Sequence, residues 1–318
     1  MQKRELLRRL SFFVLLTVST KFAILFQERG DTMLTERELQ NAFAYFGVTD
    51  AAYMAAMQAT AASIREDART MGLFRTAWDA IFGHDCIQRE RIEPLAEELC
   101  GENAPPYITF LLLLAGCGSF RKKQVQYHLT GYDIDTVKQR IRKIPYNRWR
   151  KGIPNIWFEL FLWIADFLNG NETYCGSLIF QRCSDELVQV HIPTKADLSY
   201  DMVRQSLRMA PAMLRWRYGL EHWTARCESW LLSPELQALC RPGSNIARFS
   251  EFFQTEPGED CTEDILRILF KNHSGAYSAL PEDTSLQRAA KAYLLQGGTF
   301  RLGNGILQTT KPGLSYSY

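Results

Sequence analysis

The hydrophobic pattern of this chain changes period once, at Asn169-Gly170-Asn171, and that change constrains the fold more than any single motif. Upstream, apolar residues recur at helical spacing. Thr35 with Glu38 three residues on makes a capping box, Leu39, Phe43 and Phe46 follow on one face, and Gly47 ends the helix. Asp50 caps an Ala- and Met-rich run to about Met71, and two short helices are expected over 76–82 and 92–100. Pro105-Pro106 breaks the chain. The stretch 107–115 is continuously apolar but about half the length that spans a bilayer, so it reads as a buried core helix. Helices are expected over 122–129 and 134–144, joined at Gly131, and over the aromatic run 153–168.

Downstream the runs are short and β-rich. Residues 175–182 and 187–192 read as a hairpin around Cys183-Ser184-Asp185-Glu186, and Pro193 ends its second strand. Ser199 caps a helix to about Leu214. A third strand is expected over 223–232, a short helix opens at Pro234, and a fourth strand is expected over 245–253. Helices follow over 261–271 and 286–296. Gly303-Asn304-Gly305 reads as the turn of a terminal hairpin. The expectation is an α/β (α+β) protein with a helical domain over 33–170 and a mixed-sheet domain over 171–318. At 318 residues the chain is long enough for two cores.

Residues 1–9 are basic, and 10–26 are apolar apart from Lys21 and a few hydroxyls. A signal peptide or an anchor are two readings of that segment. Lys21 is costly in mid-bilayer, however, and no small-x-small cleavage site follows. We expect residues 1–32 to be a non-native extension, with translation starting at Met33 in a bacterial source. The codons for Gln27-Glu28-Arg29-Gly30 can spell a purine-rich ribosome-binding sequence.

A net charge of +2 gives no global field to attract nucleic acid or an anionic membrane, so any electrostatic site must be local. None of the eight cysteines forms a C-x-x-C pair, which removes zinc-ribbon and thioredoxin-like readings and favours reduced, buried thiols. His84, His128, His222 and His273 lack metal-ligand spacing, and no metal is expected. A cytoplasmic protein outside the membrane, acting on a small molecule, fits these features; they leave its oligomeric state open.

Local candidates remain. Lys138, Arg140, Arg142, Lys143, Arg148, Arg150 and Lys151 gather with Tyr146 and Trp149, and no carboxylate occurs from Thr136 to Phe158. The segment reads as a solvated helix face, a holder of cofactor phosphates, or a nucleic-acid contact. The layout of 125–141 is loosely similar to a helix-turn-helix. Arg301 to Gly305 is glycine-rich but feeds no helix, so a phosphate cradle is not expected there. In the strand over 187–192, Val188, Val190 and Ile192 share one face. His191 projects to the other, beside the break at Pro193, as a candidate acid/base or a structural histidine. Cys227 and Ser229 share a face, opposite Arg226, Glu228 and Trp230. Cys227 is a candidate nucleophile with no activating signature, or a buried thiol.

The run Cys227-Glu228-Ser229-Trp230-Leu231-Leu232-Ser233-Pro234-Glu235-Leu236, then Ser244-Asn245-Ile246-Ala247-Arg248-Phe249, resembles a known family, as do His191-Ile192-Pro193 and Ser206-Leu207-Arg208-Met209-Ala210. These pieces resemble the acyltransferase-domain-containing proteins of Gram-positive bacteria, which join a helical N-acyltransferase N-terminal domain to a GNAT-like C-terminal domain. The likeness is strongest over 174–308 and weaker over 34–170. It implies a GNAT-like mixed sheet, and acetyl-CoA or another acyl-CoA as donor to an amine. On that resemblance His191 does acid/base work. Cys227 or Ser229 protonates the leaving thiolate or shapes the pocket, and Pro193, Thr194, Lys195 and Ser199 meet the CoA phosphates. The usual Q/R-x-x-G-x-G/A loop is absent: Thr194 to Ser199 holds no glycine, and Asp197 and Asp201 bring negative charge to the helix end. The alternatives are a catalytically inactive GNAT-like binding module and a nucleic-acid-binding regulator.

Overall fold

In the computed structural model, which describes residues 34–271 and 275–308, the first helix begins at its capping box. The Thr35 hydroxyl accepts from the Glu38 amide (3.3 Å), and the Glu38 carboxylate accepts from the Thr35 amide (3.1 Å). Helix α1 (Glu36–Phe46) buries Leu39, Ala42, Phe43 and Phe46 and stops at Gly47, whose φ of 71° costs a glycine little. The extension 1–32, the start at Met33, and His273 lie outside the described residues.

Asp50 caps α2 (Ala51–Glu66), its carboxylate accepting from the Tyr53 amide at 2.9 Å. The helix expected to continue to Met71 stops sooner. Asp67 turns extended and accepts from the amides of Arg69 and Thr70, starting α3 (Ala68–Phe82), which absorbs the expected 76–82 helix. A short aspartate can satisfy first-turn amides of a new helix, so it splits an otherwise helical run without any change in apolar spacing. Short helices α4 (Arg89–Ile92) and α5 (Ala96–Cys100) follow. Helix α6 (Ile108–Ala115) is buried from Ile108 through Leu114, as its unbroken apolar run requires. Beyond it come α7 (Cys117–Gln126), α8 (Gly131–Trp149) and α9 (Phe158–Leu168).

The chain forms two compact units that interleave along the sequence. One holds residues 34–80, 89–118 and 136–164; the other holds 81–88, 119–135, 165–271 and 275–308. In the first unit Asn155 knots the loop before α9 to α6. Its side-chain oxygen accepts from the Thr109 hydroxyl (3.1 Å), and the Thr109 oxygen accepts from the Ile156 amide (3.1 Å). All three residues are buried, so the exchange satisfies polar groups that would otherwise be costly.

The second unit carries a six-stranded mixed sheet: β1 (Glu172–Cys175), β2 (Leu178–Arg182), β3 (Leu187–His191), β4 (Thr224–Ser229), β5 (Phe253–Asp260) and β6 (Arg301–Leu307), in the order β1-β2-β3-β4-β6-β5. Neighbours are antiparallel except β3 and β4, which run parallel and are joined by the crossover helix α10 (Tyr200–Tyr218). Val188, Val190, Ala225 and Cys227 pack with Val203, Leu207, Ala210 and Leu214 of α10. Burying a leucine such as Leu207 contributes about 1.5–3 kcal/mol. A smaller core joins α11 (Pro234–Leu239), α13 (Thr262–Leu269) and α14 (Ser285–Leu295) around Ile265, Leu294 and Phe300, with α12 (Asn245–Ser250) lying between α11 and β5 in the chain.

Four expectations are corrected. The strand expected over 175–182 begins at Leu178, and Cys175 closes a further strand, β1, that pairs with it. The third strand ends at Ser229, and Trp230–Leu232 is a 3-10 turn. Residues 245–250 form α12, because the Ser244 hydroxyl accepts from the Ala247 amide (3.3 Å) and starts a helix; the strand begins at Phe253. Gly303-Asn304-Gly305 is not a turn but the middle of β6. A Cβ on Gly303 would sit 2.1 Å from the Leu232 carbonyl oxygen, and one on Gly305 would sit 2.7 Å from Leu232 Cδ1. These glycines let the Trp230–Leu232 turn press on a straight strand.

Candidate functional site where the parallel strands part

The register of β3 with β4 pairs Leu187 with Thr224, Val188 with Ala225 and Gln189 with Arg226, and goes no further. Both strands continue: β3 to His191 and β4 to Ser229. They therefore part at their carboxyl ends, where an α/β sheet opens a crevice. The Thr224 amide bonds the Glu186 carbonyl (2.8 Å), so even-numbered residues of β4 aim their backbone groups at β3. Glu228 is the next of these beyond the last pair. Its N–H and C=O face the gap, while Cys227 and Ser229 lie opposite Gly305 and Gly303 of β6.

Alternation also sorts the side chains. Leu187, Gln189 and His191 share one sheet face with Arg226 and Glu228, and Val188, Val190, Ala225 and Cys227 share the other. The structure thus does not gather the three candidate catalytic residues on one face. His191 is half-buried, and burial lowers its pKa to about 4, which keeps the ring neutral near pH 7. Its Nε2 lies 2.5 Å from Gln181 Oε1, and Gln181 Nε2 donates to Asp166 Oδ2 at 2.5 Å. Cys227 is fully buried in the α10 core, and burial pushes its thiol up to about 12. The Ser229 oxygen accepts from the Leu231 amide (3.2 Å), holding the 3-10 turn.

The loop from β3 to α10 closes on itself. The Ala196 amide bonds the Pro193 carbonyl (3.0 Å), and Lys195 takes a φ of 67°, costly for a residue with a Cβ. The Ser199 amide bonds Asp197 Oδ1 (2.9 Å), which holds the Asp197 carboxyl below its usual value. Thr194 and Lys195 are exposed. The Ser199 side chain makes no capping bond, so it leaves the first-turn amides of α10 open.

The cationic stretch has structural work in the first unit. Lys138 lies over Tyr45 (4.4 Å), Arg140 over Trp163 (4.1 Å) and Arg148 over Trp157 (4.7 Å), and Arg148 also donates to the Asn155 carbonyl (3.2 Å). Sequence reasoning missed Gln181, Asp166 and the Glu228 backbone. A signal for the first two existed: a glutamine in the apolar strand 178–182 and an aspartate in the apolar helix 158–168. Among the described residues no helix is long and apolar enough to cross a membrane, and no group of His, Cys, Asp and Glu side chains could hold a metal ion.

The GNAT-like C-terminal domain family matches residues 125–307. Three solved structures share the fold. One is an acyltransferase in complex with CoA and 10C-Teicoplanin, 19% identical, covering 87% of this chain and 89% of its own, with a TM-score of 0.57. An acyltransferase mutant in complex with octanoyl-CoA is 20% identical, covers 86% and 88%, and has a TM-score of 0.57. An acyltransferase in complex with decanoyl-CoA is 21% identical and has a TM-score of 0.52; the match spans 64% of this chain and 66% of that one. No curated protein matches the chain. More than half of the sequence fits the family, with the parallel β3–β4 pair and its crossover helix inside the matched span, and the chain belongs to the GNAT-like C-terminal domain family.

Proposed function

We propose that this chain is an N-acyltransferase that moves an acyl group from an acyl-CoA to an amine. The observation that carries the reading is the gap between β3 and β4, with the Glu228 backbone aimed into it and the neutral His191 beside it. In this reading the gap receives the pantetheine arm and presents the thioester carbonyl. The Glu228 N–H hydrogen-bonds the carbonyl oxygen as negative charge develops there. His191 takes the proton released by the amine as its nitrogen attacks the carbonyl carbon, and the thiolate of CoA leaves. Cys227 shapes the floor from the α10 side, and Ser229 holds the turn that closes one end. The cofactor phosphates fall to Lys195 and the open first-turn amides of α10. Fold neighbours crystallised with CoA, octanoyl-CoA and decanoyl-CoA support this choice of donor.

A second reading is a GNAT-like binding module without catalysis. It is favoured by the self-closed loop, where Asp197 consumes the Ser199 amide and Asp201 adds a second carboxylate at the helix end. Titration with acetyl-, octanoyl- and decanoyl-CoA, followed by transfer assays on a panel of amines, separates the two. We expect saturable binding, and a loss of kcat of roughly 10²–10⁴-fold in His191→Ala. No binding at millimolar donor, or equal rates in wild type and His191→Ala, removes the enzyme. Steeply salt-dependent DNA binding that is lost with Arg148 and Arg150 would point to the nucleic-acid regulator instead.

A further inference from the structure

We infer that Gln181 is a positioning residue, held by Asp166, that fixes His191 as the Nε2–H tautomer and leaves Nδ1 as the proton acceptor. Asp166 and Gln181 are 4% and 7% exposed. Gln181 Nε2 donates to Asp166 Oδ2 at 2.5 Å, so the NH₂ end of that amide is taken up by Asp166. The other end of that amide is then an oxygen, which only accepts. It lies 2.5 Å from His191 Nε2, so Nε2 must carry the hydrogen. Burial keeps the ring neutral, and a neutral ring has a single N–H. Nδ1 is left with its lone pair.

The topology makes this possible. Ile179 faces His191 across the β2–β3 ladder and Gln181 faces Gln189, so Gln181 reaches His191 along the diagonal on the same face. Asp166 comes from the last turns of α9. Arg226 and Glu228 share that face from β4, and Asp166 bears on the ring through Gln181. A merely structural histidine could hydrogen-bond any nearby group. Here two buried polar side chains are ordered in series, and that order leaves one ring nitrogen outside the chain of bonds.

The inference rests on the acyltransferase reading for its role. When the amine N–H bond breaks, the proton adds to Nδ1 while Nε2–H stays hydrogen-bonded to Gln181, which Asp166 holds in place. Its test needs no donor or acceptor. In the ¹⁵N-labelled full chain near neutral pH, long-range ¹H–¹⁵N spectra of the His191 ring should show a protonated Nε2 and an unprotonated Nδ1. Gln181→Met removes the acceptor and should give a tautomer mixture. A ring protonated at Nδ1, a doubly protonated ring at neutral pH, or a Gln181→Met spectrum like wild type overturns the inference and leaves the proposed reaction standing. If Gln181→Met does not fold, the wild-type spectrum decides. In the kinetic arm, kcat should fall roughly tenfold in Gln181→Met with KM for the donor unchanged, part of what a positioned base supplies. Flat kinetics beside the expected spectra would confine the relay to structure and overturn the positioning role.

Discussion

Arg217 near the end of α10 holds Asp133 in an ion pair, Nη2 to Oδ2 at 2.5 Å, with side chains only 2% and 8% exposed. Asp133 also accepts from the Thr130 amide and hydroxyl, both at 2.8 Å, at the start of α8. Removing one partner leaves the other charge buried and alone. We expect Asp133→Ala to destabilise the protein by about 3–5 kcal/mol in urea unfolding. Replacing both residues by apolar ones of similar volume should recover most of that. Glu282→Ala, which breaks the solvent-screened ion pair of an exposed carboxylate with Lys291, should cost far less than Asp133→Ala.

The two glycines of β6 give a second expectation. Gly303→Ala drives a methyl into the Leu232 carbonyl, backbone that cannot swing aside. A loss of roughly 1–3 kcal/mol or more is expected, with the 3-10 turn displaced. Gly72 is the control: it lies inside α3 with nothing within 4 Å of an added methyl, so Gly72→Ala should stabilise by about 0.5–1 kcal/mol. Melting curves of the pair should move in opposite directions.

The half-buried imidazole sets a pH dependence with a definite sign. Folding lowers the His191 pKa from its ordinary 6.5 to about 4, so between those values the unfolded chain binds a proton that the folded chain refuses. Its contribution is complete above pH 6.5 and is lost as pH falls toward 4, on the order of 3 kcal/mol in all. His191→Gln should flatten this slope over pH 4–6.5 when stability is measured by denaturant at each pH. An unchanged slope would show that the ring is not desolvated.

Thiol reactivity should follow burial. Cys227 and Cys175 are fully buried and pushed up to about 12, so both should resist a disulfide reagent until the protein unfolds. Cys240, only half-buried, should react first of the three. Fast labelling of Cys227 in the native state would reinstate it as an accessible nucleophile. Cys227→Ala should keep transfer activity within a fewfold of wild type.

Much of the architecture was legible along the chain because it is written in local terms. The capping box at Thr35, the buried run 107–115, the alternation of 187–191 and the stop at Pro193 each depend on residues within a few positions of one another. The family resemblance likewise named the mixed sheet. What failed depended on distant partners. Gly303 and Gly305 look like a turn until Leu232 is seen resting on them, and Ser244 starts a helix where Ile246 and Phe249 suggest a strand.

The candidate site divides the same way. The sequence alone determined that His191 leaves the core face and that the loop after it lacks glycine, since alternation and composition are one-dimensional facts. Only the tertiary structure decided that β3 and β4 run parallel and part after Gln189 and Arg226, and that Asp166 of α9 holds Gln181 of β2, which in turn meets His191. Strand pairing and side-chain convergence are long-range choices, made when the whole sheet and its covering helices bury their surfaces together, and no local spacing encodes them.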